Sequence, residues 1–184
     1  MAKLVSKTYG EALFELAVEE GREDSLLEEI MTLKKILKEN PDFEKLMNHP
    51  KILKEDKLAV LDRVFKGELS DELTGFLRII VTKDRYKEID AILDYIILEI
   101  KKKKGIGIAY VTTAVPLNEA KQKEVEQKLL ATTAFKKMEM HFQVEEELIG
   151  GVIIRIGDRV VDSSIRTKLY EMRRQLLKSS ESKQ

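Results

Sequence analysis

Along the first hundred residues apolar positions recur at intervals of three and four, the spacing that gathers them on one face of a helix, and strand-like alternation is absent there. Caps and breakers divide this run into separate helices. One is predicted over 3–20, stopped by Gly21; a second opens at Ser25, where Glu28 three residues later completes a capping-box pattern, and ends at Asn40 before Pro41. A short helix over 42–47 stops at Pro50, and a fourth over 54–65 stops at Gly67. The fifth follows Ser70, with Asp71 and Glu72 in its positively polarised first turn, and the sixth spans 87–103. Six short helices with brief connections predict a compact antiparallel bundle.

At "KKKKG", 101–105, the pattern changes. Lysines favour the carbonyl end of a helix and glycine terminates it, so the block reads as a helix end rather than a phosphate patch. Beyond it the period is two. "IGIAYVTTAV" is a β-branched run ended by Pro116, after which Asn118 caps a helix reaching about Leu130. In "KMEMHFQV" Met138, Met140, Phe142 and Val144 alternate with polar residues, as in a strand buried on one face. "GVIIRI" and "RVV" follow, joined by Gly157-Asp158, a pair suited to a tight hairpin. A final helix places Ile165, Leu169, Met172 and Leu176 on one side, and the polar tail 178–184 is expected to fray. The fold class expected is α+β: a six-helix bundle over 1–104, then over 105–184 a small sheet backed by helices.

Composition narrows the function. Of 184 residues 43% are apolar, enough for a core, and 33 Lys+Arg balance 33 Asp+Glu. Zero net charge argues against a protein that holds nucleic acid by neutralising phosphates and favours protein partners. The charged fraction, 36%, with no Cys, resembles the pattern of heat-adapted chains. Without cysteine there is no disulfide, thiolate nucleophile or Cys-ligated zinc, which fits a reducing cytosol. No apolar run approaches the ~18 residues of a membrane span, and the N-terminus lacks the apolar core of a signal peptide, so a soluble, unprocessed chain is expected.

Candidate chemistry is sparse. Gly150-Gly151 lead into a strand, without the spacing of a P-loop or a dinucleotide turn, and read as glycines that bend the backbone. His49 and His141 lie in different halves, too few for a metal site. Ser163 or Ser164, near Asp162, reads as a helix cap with a negative charge at the positive end, and Glu145 to Glu147 as a solvated turn. No catalytic constellation, metal or cofactor is expected. Helix one is unusual: Val5, Tyr9, Ala12, Leu13, Phe14, Leu16, Ala17 and Val18 exceed the ~100° stripe that one-sided packing needs. Helix five repeats the feature with Leu73, Phe76, Leu77, Ile79, Ile80 and Val81. Either helix is central in the bundle, or the two border a groove for an amphipathic helix, with small Gly10, Ala12 and Ala17 permitting close approach. Two other classes stand as alternatives: a small α+β enzyme with a cleft of perturbed ionisable groups, and a nucleic-acid adaptor using "KKKKG" with steeply salt-dependent affinity.

Three stretches carry a resemblance. "YGEALFELA" (9–17), "FLRIIVTKDRYKEI" (76–89) and "GGVIIRIGDRVVDSSIRTKL" (150–169) are similar to motifs of the delta subunit of bacterial F-type ATP synthases, the oligomycin-sensitivity-conferring protein of mitochondria. Gly10 stands where the family usually has alanine, and "KDR" replaces an Asn-Gly-Arg turn. The resemblance implies a non-catalytic stator subunit, one copy per complex, that keeps the catalytic alpha/beta head from turning while proton flow drives the rotor. It implies that the N-terminal domain binds the N-terminal helix of an alpha subunit between helices one and five, through Tyr9, Ala12, Leu13, Leu16, Phe76, Ile79 and Ile80. It also implies that the C-terminal domain joins the b subunits of the peripheral stalk, its motif residues Gly150, Gly151, Gly157, Asp158, Asp162, Ser164 and Arg166 being structural. The implied location is peripheral, on the cytoplasmic side of a bacterial plasma membrane, without direct membrane insertion or nucleic acid.

Overall fold

The computed structural model describes residues 2–181, with side chains described from 4 to 175. Leu176, expected on the apolar side of the last helix, and the end of the polar tail lie outside the described side chains. The chain separates into two compact units at Lys101–Lys102.

The first unit consists of α1 (Ala2–Glu19), α2 (Glu23–Glu39), α3 (Pro41–Asn48), α4 (Lys54–Phe65), α5 (Asp71–Thr82), a 3-10 turn (Tyr86–Glu88) and α6 (Ile89–Lys103). The three-and-four spacing is cashed in a single core: Ile30, Leu33, Leu61, Leu73, Leu77, Ile80, Ile92, Leu93, Ile96 and Ile100 are almost wholly removed from water. The breakers act where the spacing puts them. Gly21, at φ +65°, ends α1, and Pro41 occupies the first turn of α3, one residue earlier than expected, where its missing N–H is no loss.

The capping box at Ser25 is not formed. Leu26 N–H already bonds Arg22 O, so α2 begins at Glu23, two residues ahead of Ser25, whose hydroxyl donates instead to Glu29 Oε1 at 3.3 Å along the same helix. The turn after Gly21 is so short that the chain re-enters helix at once, with Glu23 and Asp24 supplying negative charge to the first turn. In the "KDR" turn Asp84 takes a left-handed conformation, φ 54°, and Lys54 ties it down by pairing with its carboxylate at 2.6 Å while donating to Thr82 O at 2.9 Å.

The second unit follows the expected order: β1 (Ile106–Thr113), α7 (Glu119–Thr132), β2 (Lys137–Val144), a 3-10 turn (Glu146–Leu148), β3 (Val152–Ile156), β4 (Arg159–Asp162) and α8 (Ile165–Glu181). The sheet runs β2-β1-β3-β4, with β1 parallel to β2 and the remaining pairs antiparallel. Asn118 caps α7 by accepting Lys121 N–H at 2.9 Å, and α7 packs against β2. The lysine block closes α6: Gly105, at φ +70°, donates its N–H to Lys102 O. Among the described residues few apolar side chains are buried in this unit: Ala109, Val111, Met138 and Leu148.

Candidate functional site

α1 and α5 are held side by side and antiparallel. Arg22, just past the end of α1, pairs with Glu72 in the first turn of α5 at 2.7 Å, while α1 also touches the 3-10 turn beyond the other end of α5. The start of α5 is fixed twice. Ser70 Oγ accepts Leu73 N–H at 3.4 Å and donates to Glu29 Oε2 at 2.6 Å, and the same carboxylate oxygen accepts Ser70 N–H.

The seven residues expected to form a groove divide into two sets. Leu13, Phe76 and Ile80 are buried in the bundle core and fasten α1 and α5 to it. Leu16 (37% exposed), Ile79 (51% exposed) and Ala12 lie on the surface, with Tyr9 half-buried. A shallow depression at the Arg22–Glu72 end is floored by Leu13 and Ala17 and edged by Leu16. The extra width of the apolar stripe on α1 therefore has two destinations. Gly10 faces α6, where a Cβ would come within 2.5 Å of the Tyr95 ring, and Leu16 with Ala12 faces solvent. The departure at Gly10 thus serves close packing on α6 and leaves the exposed apolar residues of α1 and α5 untouched.

In the second unit the motif residues form one joint at the start of α8. Gly151 has φ +80°, and a Cβ there would stand 2.4 Å from Ser163 O and 2.9 Å from Ser164 Cα, so only glycine fits. Gly150 is crowded by Ile165, and Gly157-Asp158 make the β3–β4 turn. Ser164 is completely buried and caps α8, its Oγ accepting Thr167 N–H at 3.2 Å. Asp162 accepts from Ser164 N–H and from Thr167 Oγ1, both at 2.8 Å. These hydrogen bonds, that from the Ser164 backbone foremost, hold the Asp162 carboxyl below the usual carboxylate range. Arg166 reaches back to Glu145 at 2.9 Å and Glu147 at 3.5 Å.

Sequence reasoning missed part of this joint. The acidic run read as a solvated turn is a 3-10 turn whose Leu148 is fully buried and whose next residue, Ile149, has φ 66°. The apolar "LI" directly after three glutamates was the available signal.

The groups weighed for chemistry take structural places. His49 Nδ1 accepts Lys51 N–H, and exposed His141 pairs with Glu139 at 3.0 Å and stacks on Tyr110. Among the described residues no group of three or more His, Asp or Glu could hold a metal ion.

Residues 5–176 match the family described as ATP synthase delta (OSCP) subunit. The chain is 51% identical to the ATP synthase subunit delta of Lachnoclostridium phytofermentans, over 97% of this chain and 98% of the relative. It is 34% identical to that of Alkaliphilus oremlandii over the same shares. The fold is that of a chain in the Toxoplasma gondii mitochondrial ATP synthase hexamer, with a TM-score of 0.75 at 20% identity, covering 94% of this chain and 97% of that one.

Proposed function

The chain belongs to the ATP synthase delta (OSCP) subunit family and is a non-catalytic stator subunit of F-type ATP synthase, and from that premise we propose that it links the catalytic head to the peripheral stalk, one unit to each. The first unit takes the N-terminal helix of one alpha subunit along α1 and α5, and the second takes the b subunits; one copy serves each complex. Held this way, the head resists the torque of the proton-driven rotor.

The observation that carries the first assignment is the exposed apolar set Ala12, Leu16 and Ile79 beside a core that is already complete without it. An amphipathic helix laid there would bury these side chains at about 25 cal/mol per Å² before association costs. Association on the cytoplasmic side of a bacterial plasma membrane then comes through the partners. No helix among the described residues is long and apolar enough to cross a membrane.

The test is a calorimetric titration of the full chain with a synthetic peptide from the N-terminus of the alpha subunit of the same organism. One-to-one binding with a negative heat-capacity change is expected. Leu16→Asp and Ile79→Asp, at exposed positions, are expected to weaken it tenfold or more while the unfolding transition persists. Unchanged affinity in a folded variant returns the surface to the bundle alone.

A further inference from the structure

The zero net charge of the whole chain conceals a division. Residues 1–101 carry 17 Lys+Arg against 22 Asp+Glu, net −5, and residues 102–184 carry 16 against 11, net +5. In the second unit much of the positive charge sits on α8, whose side chains from Lys168 to Gln175 are all exposed.

Its apolar residues are exposed too: Ile165, Leu169 (52%) and Met172 (59%) in one line, with Tyr170 outside that line. Their spacing of four and then three, continued in the sequence by Leu176, is that of the a and d positions of a heptad. The stripe is narrow, the seam that pairs with one other helix rather than the wider face that lies in a membrane surface. The flanking e and g positions fall to Arg166 and Arg173 on one side and Lys168 and Gln175 on the other, while Glu171 points away from the seam. No acid stands on either flank. Two copies of α8 paired through this seam would set cations against cations, which counts against a second copy of the chain as the occupant.

We propose that α8 is the docking seam of the second unit and that it takes an amphipathic helix with acidic residues flanking its own apolar stripe. This rests on the stalk assignment above and specifies its chemistry. Apolar burial along Ile165, Leu169 and Met172 supplies affinity; the basic flanks select the partner and its register. The opposite sign of the first unit keeps such an acidic helix from settling there.

The test uses the full chain and a soluble fragment of the b subunit from the same complex that includes its C-terminal helix. Binding is followed by fluorescence anisotropy at 50 and 300 mM NaCl. Affinity is expected to fall at least tenfold between the two salts, and Lys168→Glu with Arg173→Glu is expected to lose at least tenfold at the lower salt with an unchanged circular dichroism spectrum. Affinity of the double variant within twofold of the parent overturns the inference and leaves the stalk assignment standing. So does self-association of the parent chain that the double variant abolishes, or a preference for phosphatidylglycerol vesicles over the fragment. Failure of the parent chain to bind the fragment overturns both.

Discussion

At Gly151 two constraints coincide, a left-handed φ and a neighbouring carbonyl 2.4 Å from where a Cβ would stand. Gly151→Ala is expected to destabilise the second unit by about 2–4 kcal/mol, read from urea unfolding, because strain and overlap add. Asp162 makes a different kind of prediction. Its native pKa is lowered, so its stabilisation is present above the ordinary value near 3.9 and is lost as pH falls through the native one. Asp162→Asn is therefore expected to flatten the acid limb of a stability-versus-pH curve for the second unit below about pH 4, while stability near neutrality drops to the level the parent reaches in acid. Much at this scale was legible in the sequence. The serine cap, the glycine bends and the hairpin pair are local signals, and Ser164, Gly151 and Gly157-Asp158 behave as their types dictate. The Arg166–Glu145 pair was not legible, because it depends on a partner 21 residues away, whereas the burial of Leu148 was signalled only by the apolar pair that follows the glutamates.

Among the elements, the alternation of period fixed which segments are helices and which are strands, but not which apolar residues are spare. Ile79 and Ile80 are adjacent and equally apolar; one is half exposed and the other wholly buried, a difference set by the rotation of α5 on its neighbours. The Ser25 capping box failed for a related reason: a good cap is used only if the preceding turn ends where it stands. The start of α5 shows the opposite case, a cap reinforced from outside its own helix. Ser70→Ala removes the Leu73 cap and the hydroxyl's hydrogen bond to Glu29 together, leaving the backbone N–H bond to that carboxylate. A loss of about 1–2 kcal/mol in the first unit is expected by chemical denaturation. Glu29→Gln, which leaves the Ser70 cap in place, should cost less.

For the molecule as a whole, the two units differ in how much apolar surface they remove from water. Nineteen buried apolar residues form the core of the first, against four among the described residues of the second. The second unit is expected to melt first in a calorimetric scan of the full chain, giving two transitions, and a stalk-derived helix should raise only the lower one. A single transition insensitive to that helix would contradict this ranking.

The placement of α8 has a mechanical consequence. Seventeen residues make a helix about 25 Å long, fastened at its first turn by Ser164, Asp162, Thr167 and Arg166, with the side chains from Lys168 to Gln175 exposed. With a stalk helix seated along it, a sideways pull at the far end acts through that arm as a lever, and the bending moment is greatest at the first turn. The load that a stator must carry would then be limited by a handful of hydrogen bonds at the fulcrum rather than by the much larger apolar contact along the shaft.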